Sequence, residues 1–119
     1  DILQDIQFQL GMALAAALSY RHEDKTLASQ FLVKSCLFGT RDYVILQQNK
    51  FPISYEDIVQ MQRSQEYGPL IHKARDIRRN KATLQEIDLY RNIKYLNHEV
   101  EQTITQKFKQ NGNLQLIPW

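Results

Sequence analysis

Three histidines, one cysteine and a run of basic residues are what this chain offers to chemistry. His22, His72 and His98 stand far apart in sequence, with no HExxH and no pair of cysteines beside them. A zinc site built on helices needs closely set ligands, and His98-Glu99 has Gln102 where a second histidine would stand. A di-iron bundle needs inward-facing glutamates with Glu-x-x-His pairs from separate helices. Glu-x-x-His does not occur. Cys36 sits in Phe31-Leu32-Val33-Lys34-Ser35-Cys36-Leu37-Phe38, where a thiol packs as a small hydrophobe rather than serving as a nucleophile. Gly11, Gly39, Gly68 and Gly112 are isolated, so neither phosphate-binding loop, GxxxxGK[ST] or GxGxxG, is present. No local signature of a serine or cysteine nucleophile appears either. These absences predict a protein that is not an enzyme, with no catalytic residue, no metal and no cofactor.

Two constellations have positive content. Arg91-Asn92 and His98 put a guanidinium and an imidazole seven residues apart, nearly two turns, and so on one helix face. This spacing resembles the Arg-Asn…His signature of HEPN-type ribonucleases, small helical bundles whose paired motifs cut RNA across a dimer. The resemblance covers Arg91, Asn92 and His98. It implies that Arg91 would hold the scissile phosphate and His98 would serve the 2′-hydroxyl. The gap is longer than the commonest form, and Val100 stands where an aromatic often follows the histidine.

The second constellation is His72-Lys73-Ala74-Arg75-Asp76-Ile77-Arg78-Arg79-Asn80-Lys81. Lys73, Arg75, Arg78, Arg79 and Lys81 against the single Asp76 could neutralise several phosphates. Cations near a helix C-terminus also complement the macrodipole, which is the commoner reason for them. Tyr67, Tyr90 and Tyr95 could offer stacking surfaces, although tyrosines on helices more often straddle the edge of a core.

The elements that would position these residues all read as helices. Ile2, Ile6, Leu10, Leu14 and Leu18 recur every four residues and predict a first helix over about 2–20, with Ala13 to Ala17 letting another backbone come close. A charged connector, 21–25, leads to a second helix capped by Asp24 or Thr26. Gly39-Thr40 is its expected interruption, with 42–46 able to continue it. Val44-Ile45-Leu46 could pass for a strand, but nothing exists to pair with it, so it reads as helix. Phe51-Pro52 forces an extended break. Ser54 caps a third helix, with Asp57 in the capping-box position, and Gly68-Pro69 breaks or kinks it. A short fourth segment carries Leu70, Ile71, Ala74 and Ile77.

Thr83-Leu84-Gln85-Glu86 then forms a capping box for a long last helix. Leu89, Ile93, Leu96, Val100, Ile104 and Phe108 wind a stripe along it, and Asn111-Gly112-Asn113 stops it. The stripe from Leu89 to Ile104 is expected to line one buried seam against the first helix. The tail ends in Leu114, Leu116, Ile117, Pro118 and Trp119.

At 119 residues and 43% hydrophobic, the chain is expected to form one helical domain over 1–119, possible as a piece cut from a larger protein, with a core large enough to need no disulfide. The charge is mildly polarised. Residues 1–60 hold five basic and seven acidic side chains, and residues 61–119 hold ten and six, giving −2 and +4. The longest apolar run, Leu10 to Leu18, is about half of the ~20 residues that span a bilayer. No basic segment precedes it, so it is not an intact signal peptide. A cytoplasmic location is slightly favoured, with a signal peptide already removed as the alternative.

The fold expected is therefore all-α: an irregular, mostly antiparallel bundle of four to five helices whose C-terminal member is the longest. The function expected is a non-enzymatic helical protein–protein interaction module, whether adaptor, chaperone-like subunit or part of a larger assembly. Its partner would be another protein or a second copy of itself, reached through Leu114, Leu116, Ile117 and Trp119 and the apolar width of the first helix. A nucleic-acid-binding module using residues 72–81 is the alternative, and a HEPN-like ribonuclease stands third.

Overall fold

The computed structural model describes residues 1–110, without the side chains of Phe108 and Gln110. The chain folds as α1 (Ile2–Arg21), α2 (Lys25–Gln48), α3 (Tyr55–Met61), α4 (Gly68–Arg78) and α5 (Glu86–Gln110). Helices hold 79% of the described residues, and no strand occurs among them. The all-α bundle expected from the periodicities is what forms. Phe108, the 111–113 stop and the tail residues Leu114, Leu116, Ile117 and Trp119 lie outside what is described.

Each helix end has a local cause. Asp1 caps α1 by accepting from the amides of Leu3 and Gln4 at 2.7 and 3.3 Å. The α1–α2 turn closes as Asp24 N donates to Ser19 O and Glu23 N to Tyr20 O, with Glu23 at φ 64. Asp24 rather than Thr26 then caps α2, accepting from Leu27 N at 3.1 Å. Ser54 caps α3 by accepting from Asp57 N, while Asp57 reaches back to Ile53 N rather than to Ser54 itself. Pro69 sits in the first turn of α4, where its missing amide costs nothing.

Three expectations fail here. α3 ends at Met61, so Gly68-Pro69 opens α4 and neither breaks nor kinks the third helix. α2 runs unbroken through Gly39-Thr40. A Cβ on Gly39 would collide with Leu96 of α5, so the glycine is a contact point between helices and not a breaker. The Thr83–Glu86 capping box does not form either. α5 starts at Glu86, and Asp88 supplies the cap by accepting from Gln85 N at 2.8 Å.

α2 is the centre of the bundle and packs on the other four helices. α1 and α5 lie along one flank, α3 and α4 along the other. α5 runs antiparallel to α1: Lys107 Nζ meets Asp1 at 3.0 Å, while Leu89 and Ile93 line one groove with Ala17 and Tyr20. It runs parallel to α2, because Ser35–Asn92 and Thr40–Tyr95 advance together.

Candidate functional site

The residues that α5 buries are not those of its apolar stripe. Leu89 and Leu96 are buried, but Ile93, Val100 and Ile104 are only half-buried. The buried arc is Asp88, Leu89, Asn92, Tyr95, Leu96, Glu99 and Thr103. At ~100° per residue its centre lies about 80° around the helix from the centre of the stripe. The expected seam is therefore corrected: the line facing the core is largely polar.

α2 and α1 answer it with Ser35, Thr40, Asp42 and Gln9, all buried. Asn92 Nδ2 donates to Ser35 Oγ at 2.8 Å, and Ser35 Oγ donates to Leu32 O at 3.2 Å. Thr40 Oγ1 donates to Cys36 O at 2.7 Å, so the Tyr95 hydroxyl, also at 2.7 Å, is the donor to Thr40. Burial raises the Tyr95 hydroxyl pKa well above its ordinary value, and the nearby Glu99 adds to the shift.

Two carboxyl groups in this seam have raised pKa values, Glu99 the more strongly. Glu99 is 1% exposed, and neither of its oxygens has a hydrogen-bond partner among the described residues. Burial holds its pKa well above the usual range, overriding the opposite pull of the Tyr95 hydroxyl. Burial likewise pushes Asp42 up to about 7, reinforced by Asp5 and opposed by Arg41. Asp5 moves the other way, lowered chiefly by its hydrogen bond with Asp42. Arg41 reaches both carboxyls at 3.4 Å. Burial also drives the Cys36 thiol far upward, and Glu99 adds to it. No group of three or more histidines, cysteines or carboxylates among the described residues could hold a metal ion. Buried acids, amides and hydroxyls of this kind permit few alternative helix registers.

The basic segment is mostly neutralised from within. Lys73 pairs with buried Asp88 at 2.6 Å. Arg75 and Arg79 share Glu56, at 3.1 and 2.9 Å, and Arg75 also meets Asp76. Arg78 lies over the Tyr55 ring, 6.0 Å from its centroid, and Lys81 is exposed. Of the three tyrosines considered for stacking, Tyr67 and Tyr95 are buried and only Tyr90 is exposed. Arg91 and His98 are both exposed, with His98 5.9 Å from the Tyr67 ring, whereas Asn92 turns into the core. Arg91 and Asn92 thus have separate duties.

Exposed large apolar side chains gather on one helix face at α1, apart from Phe51 and Ile53 in the connector between α2 and α3. Phe8, Leu14 and Leu18 are 63%, 49% and 59% exposed. Gly11 shares their face, with no atom within 4 Å of where a Cβ would stand. Beside this stripe a groove of about 600 Å³ separates α1 from the start of α5, with Ala17, Tyr20, Tyr90 and Ile93 among its walls. Ile87 adds further exposed apolar surface at that end of α5. No helix of the described residues is long and apolar enough to cross a membrane. Comparison with known proteins finds no matching family model, no similar curated protein and no similar solved structure.

Proposed function

We propose that this chain is a non-enzymatic helical protein–protein interaction module that docks through the outer face of α1. The observation that carries the reading is the exposure of Phe8, Leu14 and Leu18 on one face of a helix whose other face is packed. Large apolar side chains gathered on a surface mark a partner site more often than chance exposure does. The face is self-complementary. Gly11 lies near its middle, Phe8 on one side and Leu14 and Leu18 on the other, so two antiparallel copies would cross at glycine and exchange the same contacts. A second copy of the chain is therefore the occupant proposed. An adaptor or assembly subunit would use this same face.

Nucleic acid is the weaker partner. Lys73, Arg75 and Arg79 already have carboxylate partners, which leaves few cations for phosphates. Sedimentation velocity over a concentration series tests the proposal. The native chain should self-associate, and Leu14→Glu or Leu18→Glu, both at exposed sites, should weaken association at least ~10-fold without changing the circular dichroism. A native chain still monomeric near ~1 mM would overturn the α1 dimer.

A further inference from the structure

The start of α2, Tyr55 and the end of α4 border a half-open cavity of about 620 Å³. That lies within the ~300–1,000 Å³ of small-molecule sites. Its lining contains two cations, Lys34 and Arg78, and no acidic residue. The neighbouring cations Lys73, Arg75 and Arg79 all have carboxylate partners. Lys34 and Arg78 make no ion pair among the described residues. Two cations without an ion pair among the described residues thus border one concavity, while Lys81, also without one, lies outside its lining.

The rest of the lining completes a polar site. Thr26 and Ser29 bring hydroxyls from the first turns of α2, and Asn80 brings an amide. Asn80 is held at φ 59 by the turn that ends α4, where Lys81 N donates to Asp76 O and Asn80 N to Ile77 O. Arg78 is steadied from below by the Tyr55 ring, itself 6.2 Å from Phe38. A guanidinium so placed can offer two parallel N–H donors to a phosphate, with the ammonium as a second point charge.

We propose that this cavity binds a small phosphate monoester on a hydroxyl-bearing carrier, of nucleotide or sugar-phosphate size. The phosphate, at roughly −1.5 to −2 charges, matches the two cations. The cavity is much larger than inorganic phosphate requires, and its hydroxyl and amide groups suit a sugar. The site is separate from the α1 face, so either proposal can fail alone.

Isothermal titration calorimetry of the native chain with AMP, ribose 5-phosphate, adenosine and inorganic phosphate, at matched ionic strength, tests it. At least one ester should bind with Kd below ~1 mM, and adenosine should not bind. AMP binding alone points to a nucleotide and binding of both esters to a phosphosugar, and either result supports the site. Lys34→Gln and Arg78→Gln should each weaken the ester at least ~10-fold. Lys34 is exposed and makes no ion pair among the described residues, so Lys34→Gln decides the matter even if the Arg78 variant is unstable. No binding of either ester, unchanged affinity in the variants, or inorganic phosphate binding as tightly as the esters would overturn the proposal.

Discussion

The two flanks of α2 are held by different physics. Towards α3 and α4 the core is apolar: Leu32, Val33, Ile58, Val59, Leu70, Ile71 and Ala74 pack together, and the polar groups of that flank stay at the rim. Towards α1 and α5 polar groups are buried as well, Asp42 of α2 with Gln9, Asn92, Glu99 and Thr103, each with an atom lacking a partner among the described residues. Apolar burial is non-directional and supplies most of the cohesion. Polar burial costs free energy unless it is paired, but it permits few alternative registers. One apolar core, joined by Ala13 and Ala16 of α1 and Leu89 and Leu96 of α5, thus runs through both flanks, and the flank of α1 and α5 adds the buried polar groups.

The comparison can be broken most directly on the apolar side. Ile71 is fully buried there, and Ile71→Ala should cost about 2–5 kcal/mol in urea unfolding. A loss of only a few tenths would mean that this flank is not the source of cohesion.

On the polar side the sign should reverse. Replacing Glu99 by leucine removes a buried acid at similar volume, and at pH 8 should be neutral or stabilise by up to ~4 kcal/mol. The pH dependence follows from the same groups. Asp42 and Glu99 have folded-state pKa values raised above the unfolded values of about 3.9 and 4.3. Over intermediate pH the folded chain therefore binds more protons than the unfolded chain, and stability falls as pH rises. For Asp42 the fall spans about pH 4 to about 7, and Glu99 extends it upward. The urea midpoint should be higher at pH 5 than at pH 8, with the slope reduced in Glu99→Leu and in Asp42→Asn. A midpoint that rises over that interval would contradict the raised pKa values of both acids.

Smaller effects sharpen the boundary between core and rim. Lys73→Met leaves Asp88 with only its cap to Gln85 N, and should cost about 1–3 kcal/mol. Lys107→Ala removes a pair whose partners are both about two-fifths exposed, and should change stability by less than ~1 kcal/mol. If the two losses were equal, the burial of Asp88 would have no energetic meaning.

Local signals were legible in the sequence, and long-range ones were not. The caps at Asp24 and Ser54 and the buried Leu70, Ile71, Ala74 and Ile77 each depend on neighbours within a few residues. The every-fourth-residue pattern in α1 misled, because four residues turn ~400° and the row drifts ~40° per step. Ile6 is thus buried while Leu14 and Leu18 reach solvent, and the packed row is Ile6, Gln9, Ala13 and Ala16. The polar seam gave no local sign. Its pairs join residues 57 and 55 positions apart, and Asn92 or Glu99 read alone belongs to a solvated face. Gly39 reads as a breaker until Leu96 is placed against it. The neutralised basic segment was hidden likewise, since Glu56 comes from α3 and Asp88 from α5. The apolar excess of the first helix was readable, whereas the cavity beside Tyr55 depends on how α2 and α4 are placed.

Cys36 turns the polar flank into something that can be timed. Its thiol is fully buried beside Glu99 and strongly disfavours the thiolate, which alone reacts with alkylating reagents. While the bundle is closed the sulfur is silent, and it reacts once the helices around it part. The labelling rate is thus a clock for that opening, read from one atom without an introduced probe. Run beside unfolding of the α3–α4 flank, the clock separates a molecule that opens along α5 from one that melts as a whole.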